Sequence, residues 1–388
     1  MHRRDFVRMG GVALIGSASF RRAIRTAATD PSRTRWKVRQ SEGFDAITFL
    51  DALSGGALYT AYYADDIAAF KPKLPQPISS DITKLWHEAG AEGFGLLGPS
   101  LCYMLSAGND ATLDTVLQAL ADPKTKILPS YRASSNWDEK DWAWFEAHVP
   151  RLRTIFGAMR DAGFSQFRLA RIGSKFADRV ADVQAALDGY DVVSLQEKLT
   201  GHAFDPTIQV VLLQFSKPHG IKVQGQTFLQ AADYDTGTTV RIAAHEMLHP
   251  PVPMDGPAAK AALAALGRDP LMMRIVREHD PRWGYTSLDG ILNEDLVQAL
   301  DQLISEALGV AHNPADRWRI SDDGMHVLAG GLYGLLRQDH WLDRGGSIDT
   351  WLLDAARNGR LAPAVLHPIA ARVLERPVGN LWPLPAGS

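Results

Sequence analysis

The residues with the clearest capacity for chemistry are His245-Glu246-Met247-Leu248-His249. Two imidazoles four positions apart lie on one face of a helix, about 6 Å apart along its axis. That spacing lets two ring nitrogens meet one zinc ion at about 2.0–2.1 Å. Glu246 follows the first His and projects beside the metal rather than onto it. From there it can take a proton from a zinc-bound water and pass it to a leaving group, while the metal acidifies the water and polarises the scissile carbonyl. His245 and His249 are thus the expected metal ligands, Glu246 the catalytic carboxylate, and Zn2+ the cofactor.

These residues need a helix to carry them. After Asp235-Thr236-Gly237 a helix is expected from near Thr238, running through His249 until Pro250-Pro251 stops it. Just before it, Ile208–Phe215 reads as a buried strand, and Ile221–Leu229 alternates like an exposed or edge strand. Elsewhere the periodicity is helical: mostly so over 41–105, then 111–122, 139–161 and 176–188, with Phe164–Ile172 read as a strand. Lys71–Gln76 and Pro77 form a proline-rich connector that should not be helical. Beyond the motif, 258–266, 270–279, 291–308, 323–338, 349–357 and 363–374 all carry helical spacing. The fold class is therefore α+β, mainly helical, with a small sheet packed against the His245–His249 helix. The expected organisation is 1–30 as an export signal, 31–160 as a helical N-terminal region, 161–310 as the catalytic region and 311–388 as a helical C-terminal region.

A strand, a loop and then this helix resemble the zincin metalloproteases over about 205–310. In that family an edge strand runs beside the bound peptide, which would give the main chain of Val223–Leu229 to an extended substrate. The resemblance also proposes a third ligand. In the gluzincin branch it is a Glu from a second helix, commonly within Asn-Glu; here Asn293-Glu294-Asp295 opens an amphipathic helix with Leu292, Leu296, Leu300 and Leu303 on one face. Glu294 is the leading choice, with Asp295 as an alternative. The metzincin spacing offers Asp255, although three prolines and a missing glycine disfavour the turn it needs. Four residues beyond Glu294, where thermolysin-like enzymes place an Asp that orients a zinc-binding His, this chain has Gln298. A zinc peptidase also uses a donor for the oxyanion. Tyr285, His326 and Tyr333 are the candidates, the last two seven residues apart on one helix face.

The first residues, Met1-His2-Arg3-Arg4-Asp5-Phe6-Val7-Arg8, precede a short apolar stretch over 9–20. A basic region followed by about ten apolar residues has the form of a cleavable signal and is too short to span a bilayer. The paired arginines followed by Phe6 resemble the twin-arginine export motif. This implies a periplasmic or secreted protein, delivered already folded and with its metal.

Composition narrows the remaining classes. A chain of 388 residues with 46% hydrophobic and 22% charged side chains can bury a large core, in two domains or two lobes. A net charge of -3 without long basic runs argues against a nucleic-acid partner. The single cysteine, Cys102, forms no internal disulfide and reads as a small buried hydrophobe. Trp137, Trp142, Trp144 and Phe145 read as core. The function that unites these features is a zinc metallopeptidase acting on peptides or proteins. Two others fit: a zinc amidase or esterase, and a noncatalytic exported binding protein with a zincin-like fold.

Overall fold

In the computed structural model, residues 32–384 are described apart from 108, 135, 281, 282, 284 and 320. The export signal expected over 1–30 lies outside them. The protein is mainly helical with one small four-stranded sheet, an α+β composition. Its chain builds two compact units from interleaved stretches: Trp36–Ala186 with Gln209–Tyr234, and Leu187–Ile208 with Asp235–Ser388 as far as it is described. The sequence division near 160 falls inside the first unit and that near 310 inside the second.

The first unit is organised around the helix Glu42–Ser54, whose residues from Gly43 onward are all buried. Ser41 caps its start by accepting the N–H of Phe44 at 3.0 Å, and Gly55 ends it at φ 90°, a conformation that favours glycine. A helix buried on every side must satisfy any charge it carries. Asp45 does so by accepting from Arg168 Nε at 2.6 Å and from the backbone N–H groups of Gln214 and Phe215. Arg168 belongs to Phe164–Ile172, which is a helix and not the strand expected from its sequence. Its buried residues Phe164, Phe167 and Arg168 follow the helical repeat, and the two rings join Phe49, Phe70 and Phe215 in an aromatic cluster.

Asp51, on the same central helix, is buried and accepts the N–H of Gly98 at 3.2 Å. Burial pushes its carboxyl up to about 7, against the relief from that hydrogen bond. A carboxyl raised in the folded state takes up a proton on folding. Its contribution is complete below the unfolded value of about 4 and is lost as the pH rises through about 7. Asp51→Asn, which keeps the acceptor and removes the ionisation, is therefore expected to be more stable than the parent at pH 8 by a few kcal/mol. Denaturant melts at pH 5 and pH 8 check this, the advantage shrinking at the lower pH.

Four strands complete the first unit in the order β1-β2-β4-β3: β1 Arg35–Gln40, β2 Thr207–Leu213, β3 Ile221–Val223 and β4 Thr227–Ala231. The single strand expected over 221–229 is a hairpin, because Gly225 at φ 69° turns the chain between β3 and β4. Ile221 pairs with Leu229 and Val223 with Thr227, while β4 runs parallel to β2 with Val210 opposite Phe228. Both sides of β4 are thus occupied, so Thr227–Leu229 presents no main-chain edge to an extended peptide. Only β3 is an edge. Ile221 and Val223 on it are buried, and the following Gln224 donates to Ser106 Oγ and to the carbonyl of Tyr103. The proline-rich connector is also more regular than expected. Pro72 sits in the 3-10 turn Lys71–Lys73 and Pro77 in the first turn of the helix Gln76–Ala91, where a missing N–H costs nothing.

The second unit is built on the helix Leu288–Ala307, buried on all faces from Gly290 to Ser305. Val327–Gln338 packs between it and Pro363–Val373. Small residues make that approach possible. A Cβ on Gly334 would stand 2.3 Å from Ile369 Cγ2 and one on Gly331 2.6 Å from Leu366 Cδ1. The Ile369 methyl is attached at Cβ and can withdraw only if the stiff χ1 of a β-branched residue leaves its preferred rotamer or the backbone shifts. Gly334→Ala is expected to cost about 1–3 kcal/mol by overpacking, seen as a lower denaturation midpoint with an unchanged slope.

Candidate metal centre

Asp235 starts the helix that brings in the first ligand, accepting the N–H of Thr238 at 2.6 Å. The helix runs from Thr236 to Glu246 and stops there, three residues before His249. The sequence reading carried it through His249. Pro250 explains the difference: in a continued helix its ring would meet the carbonyl of Glu246, and a residue before proline is driven out of helical geometry. His249 thus reaches the site from a turn, and Glu246 is the last helical residue, 4% exposed.

The two rings nevertheless converge. His245 Nε2 and His249 Nε2 are 3.1 Å apart. Glu294 sits astride them, Oε1 3.5 Å from His245 Nε2 and Oε2 3.5 Å from His249 Nε2. Donors around a tetrahedral zinc at about 2.0–2.1 Å are separated by about 3.3 Å, so this triangle has the right size. Among the described residues, His245, His249 and Glu294 are the one group of metal-ligating side chains close enough to hold an ion, with donor atoms within 4.8 Å of one another.

Each donor is fixed from behind. His245 Nδ1 donates to Asp301 Oδ2 at 2.6 Å, leaving Nε2 directed at the site. Asp301 is gripped by the forked guanidinium of Arg317, with Nη2 2.8 Å from Oδ2 and Nη1 on Oδ1. His249 Nδ1 faces the amide of Asn293 at 3.4 Å. A His that binds a metal through Nε2 carries its proton on Nδ1 and needs an acceptor there. Turning the Asn293 amide over supplies one and also employs its Oδ1, a buried oxygen with no hydrogen-bond partner as placed. Glu294 accepts from Gln298 Nε2 at 2.9 Å.

The charges favour a cation. Burial alone would raise the Glu294 carboxyl, but His245, His249 and His326 hold it down at about 2. Burial would likewise lower His245, yet Glu294 and Asp301 raise it to about 9. Asp301 itself is lowered, its burial outweighed by Arg317 and His245. Such a field draws a positive charge, and His245, His249 and Glu294 are grouped so that they could hold a metal ion.

The other candidates separate clearly. Asp295 is buried but turned elsewhere, accepting from His326 Nδ1 at 2.6 Å and from the N–H of Ala329 at 3.0 Å. Asp255 is not in the ligand group. Tyr285 is beside the site: buried, at φ 55°, its phenol pushed well up by burial and by the neighbouring Glu294 carboxylate, its ring edge-on to His326. His326 has both ring nitrogens engaged, Nδ1 with Asp295 and Nε2 with Asp322 at 2.9 Å. The two carboxylates raise it to about 10 against its burial. It braces the site as a buried cation rather than facing an open position. Tyr333 lies apart, donating to Glu306, which also takes Arg337. Glu306 is twelve residues past Glu294, about 18 Å along the helix.

Gln298, four residues after Glu294, is the position where the sequence resemblance places a ligand-orienting residue. Asp301, seven residues after Glu294, orients His245 instead. Two turns of helix return to the same face, so the periodicity that marked Leu296, Leu300 and Leu303 also held this signal. Arg317, far along the chain, left none. Compared with protein-family models, with curated proteins and with solved structures, the chain has no match.

Proposed function

We propose that this chain is a zinc-dependent hydrolase of the gluzincin kind, cleaving peptide bonds. The observation that carries the reading is the convergence of His245, His249 and Glu294 on one point, beside a buried Glu246. A zinc ion held there supplies Lewis-acid polarisation of a carbonyl and acidifies water.

The chain's own groups do the rest. Glu246, next to His245, is the general base: its carboxylate accepts a proton from the attacking water and delivers it to the departing nitrogen. Tyr285 is the one hydroxyl of the three proposed helpers that reaches the ligand cluster. Its phenol, kept protonated by burial and the neighbouring Glu294 carboxylate, is the donor that would serve a developing oxyanion. Asp301, Asn293 and Gln298 hold the ligand rings and carboxylate in place before substrate arrives. The resemblance of residues 3–7 to a twin-arginine signal adds that the protein acts outside the cytoplasm, exported folded. No helix among the described residues is long and apolar enough to cross a membrane.

The test is digestion of a mixed peptide library by zinc-loaded protein, with products read by mass spectrometry. Cleavage abolished by a chelator and restored by zinc is the expected result. A zinc-loaded protein that leaves every peptide intact would remove the peptidase assignment.

A further inference from the structure

The Arg317-Trp318 pair closes the short helix Pro314–Trp318, distant in sequence from every ligand. Arg317 grips Asp301, and Asp301 receives the Nδ1 proton of His245. Trp318 is fully buried, and its Nε1 donates to Gln298 Oε1 at 2.6 Å; Gln298 Nε2 in turn donates to Glu294 Oε1 at 2.9 Å. Two adjacent residues therefore terminate two separate chains of hydrogen bonds, each ending on a different ligand.

Geometry makes each chain directional. The guanidinium fork fixes the plane of the Asp301 carboxylate, so one oxygen is left aimed at His245. A side-chain amide bonded at its oxygen by an indole can present only its NH2 to Glu294, which removes the flipped state that would set two oxygens against each other. The guanidinium also lies over the Trp318 ring, with its carbon 5.5 Å from the centroid, so the two anchors support one another.

We infer that Arg317 and Trp318 together form a positioning clamp that presets His245 and Glu294 for the metal. Neither touches the ion; they act through Asp301 and Gln298. The inference rests on the proposed metal site, and its test separates the two.

The readouts are zinc affinity by competition with a chromophoric chelator and the visible spectrum of the cobalt-loaded protein. Residues that orient metal ligands typically contribute about 10–100-fold in affinity. Arg317→Gln and Trp318→Phe are each expected to weaken zinc by about 10-fold, at the lower end because they act one step further out, and to shift the cobalt bands. Arg317→Lys, which restores charge without the fork, should recover only part of the loss. Trp318→Phe keeps an aromatic ring in the core, so it serves where the Arg317 variants fail to fold. In an Asp301→Ala background the Arg317→Gln loss should vanish while that of Trp318→Phe persists. A parent protein that binds no metal overturns the site itself and the clamp with it. A parent that binds zinc, with Arg317→Gln and Trp318→Phe unchanged in affinity and cobalt spectrum, overturns the clamp alone.

Discussion

Glu246→Gln is expected to lower the rate of peptide hydrolysis by about 10²–10⁴-fold while leaving zinc bound, the range usual for loss of a general base. The substitution is nearly isosteric, and Gln has no carboxylate to accept a proton. Glu246 lies at the end of its helix beside His245 and outside the ligand triangle, so an ion bound there would keep all three proposed protein donors. The loss should fall mainly on kcat, because proton transfer belongs to the transition state rather than to substrate binding. Steady-state kinetics together with metal content of the same preparation decide the matter. A variant that keeps its zinc and its activity would take the general-base role from Glu246; one that loses its zinc would mean that Glu246 is a ligand.

Glu294→Ala is expected to weaken zinc on the order of 10²–10³-fold. Zinc held by four donors in small folded sites is worth roughly 10–16 kcal/mol in all, hence about 3 kcal/mol or more for each. Removing this carboxylate also leaves two imidazole nitrogens 3.1 Å apart without the anion that faces both. Asp255→Ala should leave affinity unaltered, since that carboxylate stands outside the cluster. The pair of measurements, made by the same competition titration, chooses between the two spacings the sequence offers. Equal affinities for Glu294→Ala and the parent would overturn the ligand set.

The parts of the site that were legible in the sequence are those set by local periodicity. His245 and Glu294 stand on helices whose apolar repeat announces them, and the helices Glu139–Asp161 and Pro257–Leu266 fall almost where their patterns put them. What was illegible depends on partners distant in the chain. Phe164–Ile172 reads as a strand until Arg168 finds Asp45, 123 residues away. The β3–β4 hairpin depends on a single glycine at positive φ within an alternating run. His326 and Tyr333 share a helical spacing, yet one is enclosed by Asp295 and Asp322 and the other by Glu306, choices made by tertiary packing. The end of the first ligand helix was legible in principle, because a proline excludes helical geometry upstream of itself as well as at its own position.

The proposed metal site is tested most directly by the zinc content of protein purified without added metal, measured on the parent and on His245→Ala. About one zinc per chain in the parent, lost from the variant, is the predicted result. A parent that carries no metal and takes up none on titration would contradict it, leaving His245, His249 and Glu294 as a buried cluster held together by its own hydrogen bonds.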